Sequence, residues 1–278
     1  MSFPASVEGK TQGLYDQSSS PSHMLGTAMR LADGRSYRYA KAGGNITIGR
    51  VVGHVAIAYP PGRDCVPSTA TPRTTEEWDD GTRTIHVATT ASATTSLHLY
   101  ANRFDDGYLW VNDRDGEGQI FQIKSHEVSG TAADGDVALT MYDEELLTVA
   151  LTVNSQIALH ANVYKDVVVH TGTTGSGPAL GVVNRAVTSG KYFWLQTWGP
   201  TPVLTGAVSL VAGEEAVVGN TTGGDTGLTF TAGSAYPITS TKLHNTDLQR
   251  ILAPRIGWTV VPATTTGEYA LVFLTCAP

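Results

Sequence analysis

The chain shows its architecture most clearly in Tyr108-Leu109-Trp110-Val111, then Asn112-Asp113-Arg114-Asp115-Gly116-Glu117-Gly118, then Gln119-Ile120-Phe121-Gln122-Ile123. Two alternating runs flank a turn built from Asn, Asp and Gly. A period of two puts successive side chains on opposite faces of a strand, and the Gly/Asp cluster turns the chain back on itself. A hairpin is predicted here, and the same texture continues outward. Upstream lie Thr84-Ile85-His86-Val87 and Leu97-His98-Leu99-Tyr100, and earlier still Asn45-Ile46-Thr47-Ile48 and Val51 to Tyr59. Asp33-Gly34, set between Met29-Arg30-Leu31 and Ser36-Tyr37-Arg38-Tyr39, is a strong short-range hairpin signal. Downstream the candidates are Val137 to Tyr142, Leu147 to Val153, Val163 to His170, Lys191 to Thr197, Val203 to Leu210, Glu215 to Val218, Leu228 to Thr231, Gly257 to Val261 and Tyr269 to Thr275. Short, evenly spaced strands predict an all-β protein, an antiparallel and jelly-roll-like sandwich or barrel with little helix. One short helix is expected at 246–252, ended by Pro254, and a single turn at 143–147.

The organisation expected from composition has three parts. Residues 1–22 are polar and without period, with Phe3, Leu14 and Tyr15 as their few anchors, and read as an extended arm. Such an arm is either loose or ordered against a neighbouring subunit. Residues 23–80 read as an N-terminal β module that ends in a long loop rich in Pro and Thr. Residues 81–278 read as the main β domain, open to subdivision near 200.

The charged fraction is 15%, low against an average near ~25%, and Thr, Ser and Asn supply the polarity instead. A net charge of −7 with no cluster of Lys and Arg argues against a nucleic-acid partner. The first eight residues have neither a basic start nor an apolar run, so no secretory leader is expected, and no stretch has the length of a membrane span. Cys65 and Cys276 lie far apart in sequence, and their spacing leaves both a disulfide and two packed thiols open.

Catalytic and metal motifs fare poorly. Asp113-x-Asp115-x-Glu117-Gly118 starts like a calcium loop, but the twelfth position is Lys124 where a bidentate Glu is needed. Gly172 to Gly177 has the glycines of a phosphate cradle without the helix that must come after it. His86 and His98 sit in alternating runs with no third or fourth ligand nearby. No nucleophile elbow occurs, and the adjacent acids Glu76-Glu77, Asp79-Asp80, Asp105-Asp106 and Glu144-Glu145 point to opposite faces if on strands. No catalytic residue, metal ligand or cofactor is predicted.

Aromatics remain. In Tyr192-Phe193-Trp194-Leu195-Gln196-Thr197-Trp198, alternation places Tyr192, Trp194, Gln196 and Trp198 on one face and Phe193, Leu195 and Thr197 on the other. Either both faces are buried, or the first is an open platform for protein or sugar. Phe3, Leu14, Tyr15, Tyr192, Trp194 and Trp198 are the candidate protein-contact residues.

Three phrases carry a family resemblance: His23 to Thr27 with Leu31 to Gly43, Phe104 to Asn112 with Gly116-Glu117-Gly118 and Ile123 to His126, and Gly190 to Pro200. Together they resemble the auxiliary head proteins of tailed bacteriophages, over roughly residues 23 to 200. The resemblance implies a non-enzymatic capsid decoration or cement protein, a homo-oligomer and specifically a trimer. It would bind the major capsid protein on the virion exterior after assembly in the host cytoplasm. No contact residue carries over from it. Two rival readings are a tail or fibre protein that binds host glycan through Tyr192, Trp194 and Trp198, and a polysaccharide hydrolase whose carboxylates meet only in three dimensions.

Overall fold

The structure is a computed structural model that describes residues 6–8, 13–54, 65–67, 81–89, 103–126, 136–142, 145–170, 177–206, 210–219, 235–237, 254–263, 265 and 267–278. Among them the chain is all β, without helix. In chain order the strands are β1 (Ser6–Glu8), β2 (Ala28–Arg30), β3 (Ser36–Lys41), β4 (Val51–Gly53), β5 (Cys65–Pro67), β6 (Thr84–Thr89), β7 (Tyr108–Asp113), β8 (Ile120–His126) and β9 (Asp136–Met141). Next come β10 (Gln156–His160), β11 (Val168–Val169), β12 (Ala179–Val182), β13 (Tyr192–Leu204), β14 (Glu215–Val218), β15 (Ala235–Pro237), β16 (Arg255–Val261) and β17 (Tyr269–Thr275).

The chain forms two units. Met1–Ala56 with Val163–Pro278 make one, and Ile57–Asn162, inserted in its sequence, make the other. These bounds fall at other places than the divisions expected after residues 22 and 80. The reason is non-local pairing: β3 finds its partner in β13, Tyr192 lying opposite Lys41 and Trp194 opposite Tyr39, so residues 23–56 have no core of their own.

The inserted unit is a closed antiparallel barrel of six strands in the order β10-β5-β6-β9-β8-β7, sealed by pairing of β7 with β10. A barrel this narrow is filled by its inward side chains. Ile85, Leu109, Val111, Phe121, Ile123, Leu139, Met141, Ile157 and Leu159 occupy it. The expected hairpin at Tyr108 to Ile123 is present as β7–β8, with Leu109 opposite Phe121. Leu147 to Val153, expected as a strand, is irregular instead. Leu147 and Leu151 are buried in the barrel core, which accounts for the apolar pattern without a ladder.

The host unit is an eleven-stranded sheet whose main path is β1-β2-β3-β13-β17-β16-β14-β15, with β12 also paired to β13 and β4 to β11 and β12. All its strand pairs are antiparallel except β1 with β2. The Asp33-Gly34 hairpin is present: Leu31 N donates to Arg35 O at 2.9 Å, Gly34 sits at φ 86°, and the Asp33 carboxylate takes the Arg35 backbone and Nε. Val163 to His170 yields only the two residues of β11, and Asn45 to Ile48 only a bridge from Ile46 to Val187. The expected helix at 246–252, the first two residues of the turn expected at 143–147 and the runs at 97–100 and 228–231 lie outside the described residues.

Near residue 200, where a subdivision was left open, β13 runs unbroken through Gly199-Pro200. Up to Trp198 it pairs with β3, and from Trp198 on with β17. Leu204 N, in phase with the nitrogens of Pro200 and Pro202, donates away from β17 to Gly49 O at 2.9 Å. The two prolines therefore lack donors only on the side where no strand is paired, the place a sheet tolerates proline. Gln196 supplies what that side lacks. Its Nε2 donates to Trp198 O at 3.1 Å and Pro200 O at 3.0 Å, while its Oε1 accepts from Asn184 Nδ2 and, at 3.3 Å, from Tyr37 OH. Thr201 Oγ1 extends the network to Asn184 Oδ1 at 2.8 Å. Burial pushes the Tyr37 hydroxyl up to about 12 against the opposing pull of Arg35, so it stays a donor.

Candidate interaction surfaces

Beyond Trp198 the outward side chains of β13, β17 and β16 line up in rows. Pro200, Phe273 and Trp258 form one row, Pro202, Leu271 and Val261 the next, and Leu204 and Tyr269 a third. Alternation along β17 produces its share: Ala270, Val272 and Leu274 point into a core with Val203 and Ile256, and Tyr269, Leu271 and Phe273 point out. In β16 the residues Trp258 and Val261 are three apart and would fall on opposite faces of a regular strand. A bulge between Thr259 and Val261 absorbs one residue and returns both to the outer face. Gly257 beneath them is at φ 150°, and a Cβ there would collide with the carbonyl oxygen of Phe273, so only glycine fits.

This face is apolar and open. Trp258 is 52% exposed, Val261 52% and Tyr269 46%, while Phe273 and Trp198 are partly covered. The rings of Trp258 and Phe273 lie parallel, 13° apart with centroids at 6.1 Å, and Trp198 meets Phe273 edge-on at 5.7 Å. The ion pair of Arg255 Nη1 with Glu215 Oε1, at 3.0 Å, sits where β16 begins beside β14. A smaller patch lies on the barrel, where Trp110 pairs with Ile120 across β7–β8 next to Tyr108; Ile120 is 62% exposed.

The contact residues expected from sequence are placed differently. Trp194 is 3% exposed and packs with Leu25, Met29, Tyr37 and Tyr39, so the strand is buried on both faces there and the platform of Tyr192, Trp194 and Trp198 is not assembled at the surface. Tyr192 is half-buried and stacks on Tyr39. Of the three on β13, Trp198 reaches the open face, because the bulge between Gln196 and Trp198 shifts it out of phase with Trp194. Phe3 lies outside the described residues.

Residues 13–22 of the expected arm fold onto their own unit. Ser18 and Tyr192 exchange backbone hydrogen bonds of 3.0 and 2.8 Å. Gln17 is held at both ends, by Ala186 O at 2.7 Å and Thr188 N at 3.1 Å, and Arg185 Nη1 donates to Tyr15 O at 2.6 Å. Leu14 packs against the Tyr37–Tyr39–Trp194 cluster, and Tyr15 stays open.

The acidic motifs are occupied by local partners. Asp113 faces Arg114 at 3.8 Å, and Asp115 Oδ2 accepts from Thr152 Oγ1 at 2.8 Å. Asp106, at φ 61°, accepts from Tyr142 OH at 2.6 Å, and burial raises the Tyr142 pKa so that this donor is kept. Glu145 accepts from Gln122 N. Among the described residues no three of His, Cys, Asp and Glu are grouped to hold a metal ion. Gly177 O accepts from His170 Nε2 at 3.0 Å, and the next element is the strand β12, not a helix. His86 stands on β6; His98, Glu76-Glu77 and Asp79-Asp80 lie outside the described residues. Cys276 is a free thiol whose pKa burial pushes up to about 12.

The sequence read neither the outer face of β13–β17–β16 nor its aromatic row. The signal was there in the alternation of Tyr269 to Thr275, but pairing with Pro200 and Trp258 is a matter of register. No protein-family model, curated protein or solved structure matches the chain.

Proposed function

We propose that this chain is a non-catalytic structural protein that joins a protein assembly, and that the assembly is a tailed-bacteriophage head. It decorates the outside of the shell and stabilises it by binding the major capsid protein. The observation that carries the reading is the open apolar face of Pro200, Phe273, Trp258, Pro202, Leu271, Val261 and Tyr269 on a hydrogen-bonded sheet. Contiguous apolar surface of this kind marks protein contacts, and a rigid sheet presents it without ordering cost. The resemblance to auxiliary head proteins supplies the kind of assembly. Binding to the assembled shell and not to free subunits stabilises the shell by mass action.

The test is co-sedimentation of the purified chain with empty heads that lack it, then cryo-electron microscopy. Regular added density on the shell is the expected result. No binding to heads, with the protein recovered on tails, would overturn the reading.

A further inference from the structure

We propose that the outer face of β13–β17–β16 is a self-association site, on which a second copy of this chain packs the same face about a two-fold axis. The inference takes from the functional reading only that this face is a protein contact, and it assigns the partner.

Charge comes first. None of the side chains in the three rows, from Pro200–Phe273–Trp258 to Leu204–Tyr269, carries a charge. On β14 the residue opposite Trp258 is Glu215, whose carboxylate is already taken by Arg255 at 3.0 Å, so the charge beside the rows is neutralised within the chain and offers a charged partner little to pair with. Two copies at −7 each repel at long range, and an uncharged face is where they meet without bringing like charges together.

Area and shape agree. With Trp258, Val260, Val261 and Tyr269 each about half exposed and the other members partly so, the face offers on the order of 600 Å² of apolar surface. A standard interface takes roughly 800 Å² from each partner, a figure reached when the apolar centre gains a polar rim. Sheet faces pack on one another as aligned layers about 10 Å apart, and the bulge in β16 keeps the rows in one phase for such packing. A two-fold pair needs only this face, whereas a ring needs a second surface to receive it. The pair therefore differs from the trimer implied by the family resemblance.

The experiment is sedimentation equilibrium of the full chain, alone and as Trp258→Glu, Val261→Glu and, as a control on the barrel, Ile120→Glu. The wild type is expected at twice the 29.4 kDa of one chain, with an association that tightens from low to high salt as the repulsion between the two net negative charges is screened. Trp258→Glu and Val261→Glu should each weaken it about a hundredfold with unchanged circular dichroism and melting, and Ile120→Glu should not. Because both altered residues are exposed, one is expected to fold even if the other fails to. A monomeric wild type at tens of micromolar, a mass of three chains, or pairing retained in both face variants would overturn the proposal. If a monomeric wild type binds heads and Trp258→Glu does not, the face docks on the shell, and the functional reading stands without the pair. If the wild type pairs but binds no heads, the pair stands and the shell reading falls.

Discussion

The side-chain amide of Gln196 donates to the carbonyls of Trp198 and Pro200 on the side of β13 where no strand is paired. Replacing it by Met keeps the volume and removes both donors, together with the acceptor that Asn184 and Tyr37 use. Each buried polar group left without a partner costs roughly 1–3 kcal/mol, so Gln196→Met should destabilise the host unit by about 3 kcal/mol. Urea denaturation monitored by tryptophan fluorescence measures this, and a loss below about 1 kcal/mol would mean the carbonyls find other partners. In the sequence this residue was one member of a face shared with three aromatics. Nothing in its neighbours announces that it stands in for a strand, because that need arises only when Pro200 and Pro202 are placed in the sheet.

At the scale of elements, His170 comes directly after β11, and its ring closes the connection to β12 by donating to Gly177 O. Burial lowers its pKa, so the folded protein binds the proton less readily than the unfolded chain. Linkage then sets the sign. The contribution of His170 to stability is complete above the unfolded value near ~6.5 and is lost as the pH falls from there toward the lower folded value. His170→Gln keeps an amide donor for Gly177 and removes the titration, so its stability should fall less steeply than that of the wild type between pH 7 and pH 5. Parallel slopes in urea titrations across that range would contradict this.

Legibility obeyed the same division between local and distant. Hairpins were readable where a turn signal and two alternating runs are neighbours, as at Asp33-Gly34 and at Tyr108 to Ile123, and β14 and β17 match their expected bounds. The runs that begin at Lys191 and Val203, read as separate strands, are joined in β13, since proline ends a strand only where its nitrogen is needed. The candidate surface was the least readable part. Trp194 and Trp198 share a phase in sequence, and one bulge sends the first to the core and the second outward.

At the scale of the molecule, the inserted unit has the means to fold alone. Its six strands close on themselves, which leaves no sheet edge to cap, and its core draws on its own residues from Ile85 to Ala161. A chain of residues 57–162 should show dispersed amide resonances and a single cooperative urea transition. A collapsed spectrum without a transition would mean the barrel needs its host.

The placement of that unit between β4 and β11 also orders events during synthesis. A ribosome adds about 5–20 residues per second, and the nascent chain folds by units as they emerge. The barrel strands, β5 to β10, leave the ribosome as one uninterrupted run, and all their partners are present when His160 is out. β3 must wait for Tyr192 to Trp198, and β13 in turn for Tyr269 to Thr275. The apolar face is made only when those last residues join the sheet. Newborn chains therefore carry a finished barrel before they own the surface by which they meet a partner.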